Sequence, residues 1–149
     1  MTIASTLTSH ADARVLSELD HVRLLSLVQR QRPLREASAP LRALEDLLDL
    51  CDAVPVADVG VDTVTMRSSV RLRDLDTHTE RTLTLSYPDD ADEGGEGGDK
   101  LSVLSPLGVS LLGARLGEAL SWRGPRGEAH RAQVLAIVYQ PESAGDVLR

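Results

Sequence analysis

Two spacings of apolar residues divide this chain. Up to about residue 60 they recur every three or four positions, and beyond Val61 they alternate with polar ones. Residues 1–8 have no pattern and are read as loose. A helical period starts at Ser9 and runs through Ala11, Val15, Leu19 and Val22, with Leu25 near the same stripe. Asp12 and Glu18 fall early in it and Arg23 and Arg30 late, as the helix dipole favours. The segment from Gln29 to Pro33 is polar, and Pro33 and Pro40 both punctuate the chain. Leu41, Leu44, Leu48 and Cys51 then step by three and four, with Glu45, Asp46, Asp49 and Asp52 on the far side. Leu34 and Ala37 extend that register upstream, but the favoured start is near Pro40, at a first helical position. The prediction is an antiparallel helical hairpin, with helices of ~13 residues spanning ~20 Å.

Ala53–Gly60 reads as a linker, dividing a helical arm (1–60) from a β-rich domain (61–149). In the second part Val70 and Leu72 alternate with Arg71 and Arg73. Leu83, Leu85 and Tyr87 alternate with Thr82, Thr84 and Ser86, so two half-buried strands flank a turn at Asp74–Glu80. Pro88–Lys100 is an acidic, glycine-rich insert. Its spacing lacks the sixth-position glycine and twelfth-position glutamate of an EF-hand, so it reads as a solvated loop and not a calcium site. Leu101–Leu104 is a further strand. Ser105 and Pro106 then suit the N-cap and first position of a short helix, whose apolar face is Leu107, Leu111 and Leu112 and whose end is Gly113 or Gly117. Ala119–Trp122 and Ala132–Tyr139 close a hairpin around Gly124–Gly127. The fold class expected is α+β, a small antiparallel sheet packed on one helix and preceded by the hairpin.

Composition narrows the function. Apolar residues make up 42% of the 149 positions but aromatics only 2%, namely Tyr87, Trp122 and Tyr139. The core must be aliphatic, and stacking platforms for single strands are missing. Residues 1–60 carry 6 Lys+Arg against 9 Asp+Glu, and residues 61–149 carry 10 against 14. Neither half supplies the basic face on which duplex binding depends, so no sequence-specific DNA binding is expected and the partner should be a protein. Cys51 is alone, which excludes an internal disulfide and a cysteine metal site, and it reads as a small buried group. There is no secretory signal and no apolar run of ~20 residues, so the expectation is a soluble cytoplasmic protein. His10, His21, His78 and His130 show no ligand spacing and no nucleophile motif, and there is no phosphate-cradling Gly-Lys-Ser/Thr sequence. No catalytic residue, metal or cofactor is assigned.

The order of strands, Ser-Pro helix and final hairpin from Val61 to Tyr139 resembles the C-terminal domain of the Gre transcription elongation factors, a domain of FKBP-like fold. Asp62–Met66, Leu111–Gly117 and the tail Tyr139-Gln-Pro-Glu142 with Ala144-Gly-Asp146 resemble more closely the branch known as regulators of nucleoside diphosphate kinase. The tail is the most specific of these, since a Gre factor normally ends at its last strand. That branch name describes a regulatory link and implies no kinase chemistry.

The resemblance implies a partner, bacterial RNA polymerase, docked at the rim of its secondary channel. The matching contact element is Ser105, Pro106, Leu107 and Gly108. These residues also suit a plain helix cap, and the two roles are compatible because a fixed helix start presents free N–H groups. Gre factors carry an Asp and a Glu at the arm tip that help hold the magnesium used to cut backtracked RNA. Here the tip residues are Gln29, Arg30, Gln31 and Arg32, and the whole turn 26–39 holds Glu36 as its single acid. Magnesium requires hard oxygen ligands. The expectation is therefore a protein that occupies the rim and competes with Gre-type factors without stimulating cleavage. The fold analogy raises a second possibility, an FKBP-type prolyl isomerase. Three aromatic residues do not easily furnish its proline pocket.

Overall fold

The computed structural model describes residues 14–31, 39–88, 99–124 and 126–145. The elements are β1 (Val15–Ser17), α1 (Glu18–Gln31), α2 (Ala39–Leu50), β2 (Asp52–Val54), β3 (Ser69–Asp74), β4 (Glu80–Ser86), β5 (Asp99–Ser102), α3 (Pro106–Leu111), β6 (Ala119–Arg123), β7 (Ala129–Tyr139) and α4 (Pro141–Ala144).

The hairpin forms, but its first helix differs from the expectation. Val15–Ser17 pairs in parallel with Asp52–Val54, so these residues form a strand and α1 begins only at Glu18, while Ser9, Ala11 and Asp12 lie outside the described residues. Ser17 marks the boundary: its Oγ accepts the N–H of Asp20 at 3.0 Å. The buried face of α1 is Asp20, Leu24, Leu27 and Val28, while Val22 is 63% exposed and Leu25 38%. The stripe through Val15, Leu19, Val22 and Leu25 is therefore not the core face. Both stripes are apolar enough to satisfy a helical period, and packing on α2 selects between them. For α2 the pattern held: Leu41, Leu44 and Leu48 are buried. Leu34, Ala37 and Glu36 lie outside the described residues. The nominal linker is also structured, containing β2, a 3-10 turn at Val56–Asp58 and buried Val59. Cys51 is half-buried, with its Sγ 3.6 Å from Leu48 O, and burial followed by the nearby Asp52 pushes its thiol pKa up.

The main sheet has the order β5-β4-β3-β7-β6. Val70, Leu72, Leu83 and Leu85 are buried and Arg71, Arg73 and Thr82 exposed, as the alternation required, but it fails at the end of β4, where Ser86 is buried and Tyr87 half-buried. β3, β4, β6 and β7 are antiparallel to their neighbours among them, whereas β5 runs parallel to β4. Residues 87–98 separate these two strands, about the dozen a parallel crossover needs. Most of the acidic insert lies in that stretch, outside the described residues. The strand placed at Leu101–Leu104 in fact spans Asp99–Ser102, and Val103 and Leu104 are buried in the turn before α3. One core runs through all layers. Leu24, Leu27, Leu41 and Leu44 join Val64, Met66, Val70, Leu85, Leu111 and Val134 in a single cluster.

Candidate functional site

Ser105, Pro106, Leu107 and Gly108 begin α3, and the local chemistry explains why a helix starts there. Ser105 has extended φ and ψ; its Oγ accepts from Gly108 N at 3.1 Å and donates to Ser102 O at 2.6 Å. Pro106 has no N–H to leave unsatisfied at the first position. Gly108 is required for space, because a Cβ there would lie 2.1 Å from Ser102 O. The four residues divide by exposure. Leu107 is 7% exposed and Gly108 buried, Ser105 is half-buried, and Pro106 is exposed.

A hollow lies on each side of this turn. Pro106 borders one of about 290 Å³, with Ala39, Pro40, Ala43, Val109 and Trp122. Its lining is mainly apolar, and it is framed by the start of α2 as well as by α3. The fold therefore brings the Ser-Pro element beside the hairpin. Leu107 borders the other hollow, of about 250 Å³, with Leu72, Asp74, Arg81, Trp122 and His130. Trp122 serves both and stacks on His130, with ring centroids 5.5 Å apart. One indole and one imidazole are a thin lining for a proline ring. Asp74 is committed to its turn: the N–H groups of Thr77 and Asp76 donate to it and hold its pKa below the usual carboxylate range.

At the hairpin's outer end Gln29 and Arg30 are exposed and Gln31 half-buried. The Arg30 Nε donates to Ser26 O at 3.4 Å. Arg32 lies outside the described residues. Among the described residues no three His, Cys, Asp or Glu side chains form a metal-binding group, and no helix is long and apolar enough to cross a membrane.

The pattern of apolar positions did not reveal a polar joint at the hairpin's base. Asp20 of α1 is 4% exposed and accepts the N–H of Met66 at 3.2 Å. Burial, then the negative charge of Glu142, raise its pKa to about 6, against the pull of Met66 N–H, Arg23 and Arg67. Tyr87 lines the same crevice, and burial followed by the Asp20 charge pushes its phenol up. Arg67 has φ of 69° and places its guanidinium 5.5 Å from the centre of the Tyr87 ring. The signal in the sequence was an acid at the head of the alternative stripe Asp20, Leu24, Leu27, Val28.

Residues 59–139 match the family model described as "Transcription elongation factor, GreA/GreB, C-term". The chain belongs to the GreA/GreB family. It is 35% identical over 135 residues to the "Regulator of nucleoside diphosphate kinase" of Escherichia coli strain K12, covering 90% of this chain and 95% of that one. It is 33% identical over 123 residues to "Transcription elongation factor GreA" of Chlorobium phaeobacteroides strain DSM 266, covering 80% and 73%. The solved structure of "Prokaryotic transcription elongation factor GreA/GreB from Nitrosomonas europaea" superposes with a TM-score of 0.69 at 32% identity, covering 85% of this chain and 99% of that one. These relatives bear the names of regulators and transcription factors. None of these names is that of a prolyl isomerase, and the isomerase reading has no support.

Proposed function

We propose that this GreA/GreB-family protein is a non-catalytic regulator of transcription elongation. It would dock on bacterial RNA polymerase in the cytoplasm, at the rim of the secondary channel, and exclude Gre-type factors without stimulating RNA cleavage. The observation that carries this reading is a Gre-type globular domain joined to a hairpin whose turn, residues 26–39, holds one acid among Arg30, Arg32 and Arg35. Two carboxylates are what magnesium-assisted cleavage would ask of that tip. The helices are 14 and 12 residues long, hence ~21 and ~18 Å, a short reach for an arm that must meet a metal. On this reading residues 1–60 act as the arm and 61–149 as the docking domain. Within the Ser105–Gly108 element, Pro106 makes the contact, supported by the apolar hollow it borders, while Leu107 and Gly108 hold the turn in shape.

The test is competition. Saturating protein added to backtracked complexes should suppress cleavage stimulated by an authentic Gre factor and produce none by itself. Undiminished Gre-stimulated cleavage at saturation would refute the shared site. The link to nucleoside diphosphate kinase carried by one relative's name fits the same reading, as an effect on transcription with no kinase chemistry in this chain.

A further inference from the structure

Beyond Tyr139 the family match ends and the chain continues. Gln140 is 3% exposed, and its Nε2 donates to Gly60 O at 2.8 Å and to Thr63 O at 2.7 Å. Pro141 is buried. Glu142 Oε1 accepts the hydroxyl of Thr65 at 2.7 Å. Thr65 and Ser68 are themselves fully buried and joined: Thr65 N donates to Ser68 Oγ at 2.9 Å, and the two hydroxyl oxygens lie 2.8 Å apart. Because Thr65 gives its proton to the carboxylate, Ser68 must donate to Thr65, so the pair is polarised towards Glu142. From the opposite side the same turn donates Met66 N–H to Asp20 of α1. Hydrogen bonds from the C-terminal tail and from the base of the hairpin therefore converge on two adjacent residues, Thr65 and Met66, of the segment 60–68.

We propose that Gln140 and Glu142 are a clasp that fixes the segment 60–68 and, through Met66 and Asp20, the base of the helical arm. The buried carbonyl of Thr63 and the hydroxyl of Thr65 have their partners in the tail, so releasing the tail leaves buried polar groups unpaired and the turn held by its backbone bonds at Val64, Arg67 and Ser68 without them. The donor to Asp20 is then less firmly placed, and this polar anchor of α1 on the globular domain is weakened. This inference is independent of the polymerase reading, since the clasp operates in the free protein.

The experiment is amide hydrogen exchange on the full chain and on Gln140→Ala, Glu142→Ala and Glu142→Gln. In both alanine variants the amides of Met66, Leu24, Leu27 and Val28 should exchange at least about tenfold faster, as one unpaired buried polar group implies. The amides of the β6–β7 hairpin should stay at the wild-type rate. Glu142→Gln keeps an acceptor for Thr65 and, like Glu142→Ala, removes the negative charge that faces Asp20, so it should retain or raise the protection in α1 and its difference from Glu142→Ala isolates the hydrogen bond. Faster exchange at Met66 with α1 unchanged would overturn the clasp, as would uniform acceleration of the whole chain. Should Gln140→Ala fail to fold, the half-buried Glu142 variants decide by the same criteria.

Discussion

Asp20→Asn should stabilise this protein above pH 7 and leave it nearly unchanged near pH 4. Asp20 titrates at about 6 in the folded chain against an ordinary 3.8, because burial and Glu142 disfavour its charge. A raised carboxyl binds its proton more tightly folded than unfolded. Between those two values the native state holds more protons, so stability contributed by this group is present at low pH and falls as pH rises towards 6. Roughly two pKa units at 1.36 kcal/mol each put the cost of the charged form at about 3 kcal/mol at neutral pH. That figure is already net of the stronger bond the carboxylate takes from Met66 N–H; Asn keeps an oxygen for that N–H and presents no charge to Glu142, but brings amide donors into a buried site, which returns about 1 kcal/mol. The net expectation is a gain of about 1–2 kcal/mol at pH 8. Urea unfolding at several pH values from 4 to 8 measures it, with an unchanged slope licensing the comparison. Asp74, held down by its turn hydrogen bonds, contributes in the opposite sense, so the difference between variant and wild type is the quantity to read. Parallel curves for the two proteins, or an Asn variant less stable at pH 8, would refute the reasoning.

Pro106→Glu combined with Ala43→Glu places two charges in the apolar hollow at exposed positions, so the fold should survive. Polymerase binding should weaken by about thirtyfold, the loss of one good anchor of roughly 2 kcal/mol, and unchanged affinity in a folded variant would move the interface elsewhere. Gly108→Ala forces a Cβ onto Ser102 O and should cost about 2 kcal/mol or more in a thermal or urea melt. The wild-type protein should not shorten the RNA of stalled complexes with or without magnesium. Nor should Gln29→Asp with Arg32→Glu, since catalytic placement within ~0.5 Å is not met by adding acids to a short arm; cleavage by that variant alone would show that reach was sufficient.

The parts legible in the sequence are those in which one local rule acts unopposed. Ser105 and Pro106 start α3 because a hydroxyl acceptor and a missing N–H suit a helix start whatever surrounds it. Leu41, Leu44 and Leu48 define the inner face of α2 because its other positions are mainly charged or small. The arginines and threonines alternating with Val70, Leu72, Leu83 and Leu85 leave β3 and β4 one way to face the core. Tertiary structure decided wherever two local answers had similar weight. α1 carries two apolar stripes, and its contact with α2 chose Leu24, Leu27 and Val28 over Val22 and Leu25. Val15–Ser17 became a strand because Asp52–Val54 supplies a partner far away in sequence. The joint of Asp20, Thr65, Ser68, Gln140 and Glu142 left no periodic trace beyond Asp20 at the head of the second stripe of α1, since its residues come from three separate segments and each reads singly as a surface polar group. Only the folded chain, which buries Asp20, Thr65, Ser68 and Gln140 and half-buries Glu142, gathers those five positions around one segment and makes an unpaired donor among them costly.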